Sequence, residues 1–150
     1  MAQNRNILVP FDGSDSAQEA LRVAIEMAVK FDEAILLIHV QPSFETPHSK
    51  IFFSQEDIRS YQQSLYDEAV ASGVRILQQA GIKYETKLLI GLPKEEICKE
   101  ANQRHVRYIV IGSRGYSSFV GSVLGSVSQG VLHLANCPVM VVPPPVDSEC

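Results

Sequence analysis

The sequence predicts a single α/β domain built on a five-stranded parallel sheet with helices on both faces. Five short segments typical of strands, most of them rich in Ile, Leu and Val, alternate with four segments in which apolar residues recur at helical spacing. Strands that alternate with helices form parallel sheets covered on both sides. The length of 150 residues suits one domain. We expect a core at about 4–143 and a short tail at 144–150.

The first strand and the first helix lie close to the amino terminus. The apolar run 7–9 ends at Pro10, which removes a donor from the strand ladder. A turn follows, and a helix is predicted from about Ala17 to Phe31, with Ser16 and Glu19 as its capping box. One side of this helix is smooth enough to lie close on a sheet, and it comprises Ala17, Ala20, Leu21, Ala24 and Ala28.

The middle of the chain predicts two strands and a long helix. The second strand covers 34–40, and an irregular segment follows at 41–53. The long helix starts at Ser54 and ends at Gly81, because glycine permits the left-handed backbone that closes a helix. The third strand covers 84–90. The predicted apolar face of the long helix comprises Ile58, Tyr61, Leu65, Ala69 and Leu77.

The last third of the chain predicts two helices and two strands. Pro93 suits the first position of a helix, because an N–H at that position would have no partner within the helix. The fourth strand covers 108–112, the last helix 126–134 and the last strand 139–142.

Composition and charge narrow the classes of function. The net charge is −4, the sequence pI is near 5.5, and Lys and Arg are not clustered, which counts against nucleic acid as a main partner. The apolar runs are too short to span a bilayer, so we expect no membrane segment. The amino terminus passes straight into a strand without a signal-peptide pattern, which indicates a cytoplasmic protein.

The cysteines and histidines form no catalytic or zinc pattern. The three cysteines are odd in number and widely spaced, which indicates reduced thiols: Cys98, Cys137 and Cys150. His39 lies inside an apolar strand and His133 lies beside leucines in a helix, so both are predicted to be core histidines. His48 and His105 are predicted to be exposed.

A glycine-rich loop follows the fourth strand. Gly112 is followed after two residues by Gly115, and after nine more by Gly125 and Ser126. Ser126 with Gln129 predicts a capping box at the start of the last helix. A helix start carries unpaired N–H groups and the positive end of the helix dipole, so this loop can wrap an anion with backbone amides. The obvious anion is phosphate.

This loop resembles the nucleotide loop of the universal stress protein family, in its ATP-binding branch. The segments 9–14 and 136–143 also look like the first and last strands of that family, so the resemblance covers nearly the whole chain. It implies a Rossmann-like fold of the adenine nucleotide alpha hydrolase type with strand order 3-2-1-4-5. In that order the tips of the first and fourth strands meet at one crevice, where ligands bind in such sheets.

The resemblance also implies a set of contacts to ATP, with Mg²⁺ beside the phosphates. Pro10 and Val40 would line the adenine pocket, and Asp12 would meet a ribose hydroxyl or Mg²⁺. The alternative for Asp12 is a turn residue that bonds its own backbone, and Arg114 could simply point to solvent. The implied contact residues are Pro10, Asp12, Val40, Gly112, Ser113, Arg114, Gly115, Gly125, Ser126, Val127 and Ser128.

The function that the resemblance implies is a nucleotide-dependent regulatory switch in stress response, with at most slow ATP hydrolysis. No P-loop lysine motif and no evident base to activate water are present. Three alternatives stay open. One is an ATP-using enzyme of the adenine nucleotide alpha hydrolase-like group, although the chain lacks the Ser-Gly-Gly loop that such enzymes carry after the first strand. Another is a flavodoxin-like electron carrier, although the chain lacks the hydroxyl-rich loop that such a carrier needs at the same place. The third is a scaffold with a vestigial pocket.

The last strand predicts a partner. The run 139–142 would be an apolar edge strand, and an unpaired edge invites association. In the family that it resembles, this strand pairs across a two-fold axis, which implies a homodimer. The alternative is an edge covered by the tail.

Overall fold

The sheet has the predicted architecture. The computed structural model of the protein describes residues 5–43, 53–114 and 124–145. Within these residues, five strands form one parallel sheet in the order β3-β2-β1-β4-β5, and four helices are found, which confirms the fold class and the strand order. In chain order the elements are β1 (Ile7–Pro10), α1 (Asp15–Phe31), β2 (Ile35–Gln41), α2 (Gln55–Ala80), β3 (Tyr84–Ile90), α3 (Pro93–Arg104), β4 (Tyr108–Gly112), α4 (Ser126–Leu134) and β5 (Val139–Val142).

Two apolar cores lie on opposite faces of the sheet. Because successive side chains of a strand point to opposite faces, each central strand contributes to both cores. One core joins alternate strand residues to α1 and α2, and it includes Ile7, Val9, Leu37, Leu21, Ala24 and Leu77. The other joins the intervening strand residues to α3 and α4, and it includes Leu8, Leu36, Ile38, Ile97 and Val131. The smooth face predicted for α1 is buried as expected.

Helix α1 starts two residues earlier than predicted, and its cap is a different serine. Ser14 is the N-cap, and its Oγ accepts a hydrogen bond from the N–H of Ala17 at 3.3 Å. The prediction of Ser16 was wrong because the turn before it, with Gly13 at φ 86°, already directs the chain into the helix. Glu19 forms an ion pair with Arg22 instead of completing a capping box.

Helix α2 has the predicted ends. Ser54 and Asp57 form a capping box, and Gly81 closes the helix at φ 68°. The predicted apolar face was partly wrong, since Tyr61 is 58% exposed while Val70 and Gly73 are buried. Apart from Ile58, the first half of the helix is largely exposed, and the residues buried against the rest of the protein gather in its second half.

Gly112, the last residue of β4, packs closely against the first turn of α1. A Cβ added to Gly112 would lie 2.7 Å from the carbonyl carbon and the Cβ of Ser16. Real Cβ atoms do not approach backbone so closely, and the first turn of α1 could not move away without separating from β4. The close contact between β4 and α1 therefore requires glycine here.

The described cysteines follow the predictions, and the histidines do so only in part. His105 is exposed as predicted, whereas His133 is also exposed and is not a core residue, because the last turn of α4 faces away from the sheet. Cys98 and Cys137 are free thiols, and burial raises the pKa of both. Gly115, His48 and Cys150 lie outside the described residues. No helix among the described residues is long and apolar enough to cross a membrane.

Candidate functional site

A cleft of about 750 Å³ opens at the carboxyl edge of the sheet. Its volume is within the range of small-molecule sites. β1 and β4 are neighbours there, and the helices that follow them, α1 and α4, pack on opposite faces of the sheet. The separation of the two helices leaves a crevice between the strand tips, at the position where sheets of this type bind ligands.

Nine of the sequence-predicted site residues line this cleft, namely Pro10, Asp12, Val40, Gly112, Arg114, Gly125, Ser126, Val127 and Ser128. Ser113 is buried just behind the wall, where its N–H donates to the carbonyl oxygen of Val142 at 2.8 Å. Gly115 lies outside the described residues, so its position is untested.

The loop between β4 and α4 is closed at its base. The N–H of Gly125 donates to the carbonyl oxygen of Ser113 at 2.8 Å. The hydroxyl of Ser128 donates to the carbonyl oxygen of Gly112 at 2.8 Å and lies 3.2 Å from that of Ser113. These bonds hold the first turn of α4 against the end of β4, and they occupy the Ser128 hydroxyl.

The start of α4 is uncapped, contrary to the prediction for Ser126. Gly125 is the N-cap and has no side chain to donate or accept, so Ser126 lies one residue inside the helix. The predicted partner, Gln129, bonds through Nε2 to the carbonyl oxygen of Leu124 at 3.1 Å. Among the described residues, no group accepts a hydrogen bond from the N–H of residues 126–128. The positive end of α4 is therefore open at the cleft wall.

Asp12 has the turn contact that was the alternative to a ligand contact. Its Oδ1 accepts a hydrogen bond from the N–H of Ser14 at 2.9 Å. No described residue bonds Oδ2, and the side chain lines the cleft. One oxygen thus holds the turn, and the other is available to a hydroxyl group or a cation.

The cleft combines an apolar wall with a polar one. Pro10, Val40, Ile38, Ile97, Ile111 and Val127 provide the apolar surface, on the α3 and α4 side of the sheet. The Asp12 carboxylate and the start of α4, with its open N–H groups, provide polar groups in the same lining. Arg114 is the only Arg or Lys in the lining that the structure describes. Such a cleft suits a ligand with a flat apolar end and an anionic end.

Sequence reasoning missed polar residues of this site, among them His39 and Ser14. His39, predicted as a core residue, lines the cleft, and its Nδ1 lies 2.8 Å from the carbonyl oxygen of Phe11. Ser14 also lines it, and its Oγ donates to the carbonyl oxygen of Arg114 at 3.5 Å. The available signal was their place at or just after the carboxyl ends of β2 and β1, the edge where sites form in parallel sheets.

Comparison with known proteins gives consistent matches over nearly the full length. The family model of the universal stress protein family matches residues 3–143. A universal stress protein of Methanocaldococcus jannaschii is 33% identical over 144 residues, covering 94% of this chain and 83% of that protein.

Similar solved structures in this family include proteins with a bound nucleotide. One is a universal stress protein family protein of Arabidopsis thaliana with AMP bound, with a TM-score of 0.69, 26% identity, and coverage of 97% of this chain and 95% of that one. Another is the universal stress protein of Archaeoglobus fulgidus in complex with dAMP, with a TM-score of 0.68, 26% identity, and coverage of 95% and 99%.

Proposed function

The chain belongs to the universal stress protein family, and from this premise we propose that it binds ATP with Mg²⁺ and acts as a nucleotide-dependent regulatory switch in stress response. The observation that carries the proposal is the open start of α4 in the wall of a nucleotide-sized cleft. Backbone N–H groups at a helix start are suited to phosphate. They can hold a triphosphate without a cluster of basic side chains.

The two walls of the cleft suggest an orientation for the nucleotide. The adenine ring would lie against Pro10 and Val40 on the apolar side. The free oxygen of Asp12 would meet a ribose hydroxyl or Mg²⁺. The loop at 112–115 would follow the ribose and the phosphates, and the N–H groups at 125–128 would donate to the phosphates. In this arrangement each of the sequence-predicted site residues contacts the adenine, the ribose, the phosphates or Mg²⁺.

The ligand class has support from the relatives, and the ligand itself is our proposal. The Arabidopsis and Archaeoglobus proteins were solved with AMP and dAMP, which supports an adenine nucleotide. The choice of ATP rests on the glycine pattern of the loop. We propose at most slow hydrolysis, because the sequence carries no P-loop lysine motif and no evident base. The bound nucleotide would then act by changing what the protein docks against.

Replacement of a single backbone donor tests the proposal directly. Ser126 occupies the first helical position of α4, where proline is tolerated, and Gly125 has an extended backbone that suits a residue before proline. Ser126→Pro removes one N–H while the helix can remain. We expect MgATP affinity, measured by calorimetry, to fall about tenfold to a hundredfold, as for a hydrogen bond to a charged group.

Ser126→Ala is the matched control for this measurement. It removes the hydroxyl and keeps the N–H, so affinity should stay close to that of the wild type. Circular dichroism and thermal unfolding would verify that both variants are folded. Wild-type affinity in folded Ser126→Pro would show that the backbone at this helix start does not hold the ligand.

The released ligand and its products separate the switch from the alternatives. Denaturing freshly purified protein and identifying the released nucleotide by chromatography should yield ATP or ADP. A protein that carries no nucleotide and binds none on titration would be a scaffold with a vestigial pocket. Turnover with stoichiometric release of phosphate or pyrophosphate at enzyme rates would favour an ATP-using enzyme.

We also propose a homodimer through β5. This strand pairs with β4 on one side and is last in the sheet order, and Met140 is 41% exposed. Static light scattering at micromolar concentration should give twice the chain mass, and Met140→Lys should lower it. A monomer mass for the wild type would remove this part of the proposal. The cytoplasmic location stays a prediction.

A further inference from the structure

His39 provides a hydrogen bond where the sheet itself stops. The ladder between β1 and β2 ends with the N–H of Phe11, which donates to the carbonyl oxygen of Ile38 at 2.7 Å. The next polar group along the chain is the carbonyl of Phe11, a residue that is only 3% exposed. The Nδ1 atom of His39 lies 2.8 Å from that oxygen. The imidazole therefore replaces the strand partner that the carbonyl lacks.

This contact determines where the proton of the ring lies. A carbonyl oxygen can only accept, so Nδ1 must carry the hydrogen. In the neutral ring, Nε2 is then the unprotonated nitrogen. The ring is also tilted against Tyr66 of α2, with the two ring centroids 6.4 Å apart. His39 is therefore held between α2 and the tip of β1.

The contact acts on the peptide group next to Asp12. The Phe11 carbonyl and the Asp12 N–H belong to one planar peptide unit, so fixing the carbonyl direction fixes the orientation of the Asp12 backbone. On its other side, Asp12 is held by the hydrogen bond from the N–H of Ser14 to Oδ1 at 2.9 Å. The two bonds together leave Asp12 little freedom to turn away from the cleft.

We propose that His39 is a positioning residue of the cleft, whose Nδ1–H bond to the Phe11 carbonyl aims the Asp12 carboxylate at the ribose hydroxyl or the Mg²⁺ of the bound nucleotide. The inference rests on the proposed function, which supplies the ligand that Asp12 would meet. It assigns His39 a role in the site and none in proton transfer.

The state of the ring can be tested without any nucleotide. In ¹⁵N NMR of the wild-type protein at alkaline pH, the His39 ring nitrogens are assigned by their loss in His39→Asn. We expect a neutral ring with the proton on Nδ1. A neutral ring with the proton on Nε2 would overturn the inference, because its Nδ1 lone pair would then face the carbonyl oxygen.

Two variants of His39 separate the hydrogen bond from the bulk of the ring. Asparagine places its side-chain nitrogen two bonds from Cβ, as Nδ1 is in histidine, and can donate to the same carbonyl. Leucine cannot donate. We expect His39→Leu to weaken MgATP binding about tenfold, as loss of an orienting partner commonly does, and His39→Asn to stay within about threefold. Equal losses in the two variants would overturn the inference.

A double-mutant cycle with Asp12→Asn distinguishes positioning from general structural support. If His39 acts through the Asp12 carboxylate, His39→Leu should add little further loss of affinity once that carboxylate is gone. A full tenfold loss in the Asp12→Asn background would overturn the inference. The control is His133→Leu, an exposed histidine in the last turn of α4, which should leave affinity unchanged. Unfolding curves identify any variant that fails to fold. If His39→Leu does not fold, the MgATP affinity of His39→Asn is compared with that of the wild type, and a loss of more than about threefold would overturn the inference.

Failure of the proposed function would look different. A wild-type protein that binds no adenine nucleotide would refute the proposed ligand, while the ring tautomer would still be measured. Crystal structures of the wild type and His39→Leu would then decide the matter. An Asp12 side chain in the same orientation in both would overturn the positioning role.

Discussion

Two helices of this protein differ in how their first turn is capped: α2 has a side-chain cap and α4 has none. At α2, the Ser54 Oγ accepts from the N–H of Asp57 at 3.1 Å, and the Asp57 carboxylate accepts from the N–H of Ser54 at 3.3 Å. At α4, the N-cap is Gly125, no side chain caps the helix, and no acidic residue lies in the first turn. Only the second of these starts lines the cleft.

The difference fits the binding role that we propose for the start of α4. A side-chain cap contributes about 1 kcal/mol to a helix, and α4 has nine residues, so it would profit from one. A cap also occupies the donors that a phosphate needs. An acidic residue in the first turn would likewise repel an anion. The start of α4 therefore lacks the stabilisation of a side-chain cap, and its open N–H groups are suited to an anion.

The largest loss of stability is expected for a substitution at Gly112. Comparing it with the same substitution at Gly125 separates a glycine required by packing from a glycine at a helix cap. Gly112→Ala forces a Cβ to within 2.7 Å of Ser16, and overpacking of this kind destabilises by about 1–3 kcal/mol. At Gly125 an added Cβ would meet its neighbours at 3.4 and 3.6 Å, which are ordinary contacts. Gly125→Ala should therefore lose less, below about 1 kcal/mol. Urea unfolding measures both, and equal losses would show that the two glycines share one role.

A smaller effect is expected at Ser54, and it tests whether the two helix starts differ in stability. Ser54→Ala removes the cap of α2 and should lower the free energy of unfolding by about 1 kcal/mol. It should leave MgATP affinity unchanged, since Ser54 is not among the residues that line the cleft. Ser126→Ala at α4 should lose almost nothing, because that hydroxyl caps no helix. Equal losses in urea unfolding would remove the distinction.

Gly125→Ser is expected to make the start of α4 more like that of α2. A serine at the cap could accept from the N–H of Val127 or Ser128, and serine exceeds glycine at this position by a few tenths of a kcal/mol. The same Oγ would compete with a phosphate for those donors. We therefore expect a slightly higher urea midpoint together with several-fold weaker MgATP binding. A variant that changes both quantities in the same direction would contradict the trade-off.

Most of the fold could be predicted because its signals are local. The strands β3, β4 and β5 were predicted at their observed residues. β4 and β5 are apolar runs, whereas β3 contains polar residues and is delimited by the turn glycines Gly81 and Gly91. The start of α1 was wrong because two serines compete for the cap, and the backbone geometry at Gly13 decides between them. At α4 the same competition between Gly125 and Ser126 was decided by where the loop closes, through the bond from Gly125 to Ser113.

The site was predictable only where the chain carries a pattern. The glycine spacing identified one wall of the cleft, and the tip of β1 identified another. His39 was taken for a core residue because its partner, the Phe11 carbonyl, is 28 positions away. The partner of Ser14, the Arg114 carbonyl, is 100 positions away. No periodicity signals such contacts, which exist only after the sheet has brought the strand tips together.

The smallest effect is expected at Glu85. This residue belongs to β3 and is not among those that line the cleft, so its effect is the background against which the other effects are judged. Its carboxylate pairs with Arg104 at 2.8 Å on an exposed surface, and this hydrogen bond holds the pKa of Glu85 below its usual value. A lowered pKa in the folded state stabilises the fold above the unfolded pKa, and the gain is lost as pH falls through the folded pKa. Glu85→Gln should therefore lower the free energy of unfolding by a few tenths of a kcal/mol at neutral pH, and the difference from the wild type should vanish in acid. Thermal unfolding of both proteins across this range measures it, and a difference that persists in acid would assign the loss to packing instead of charge.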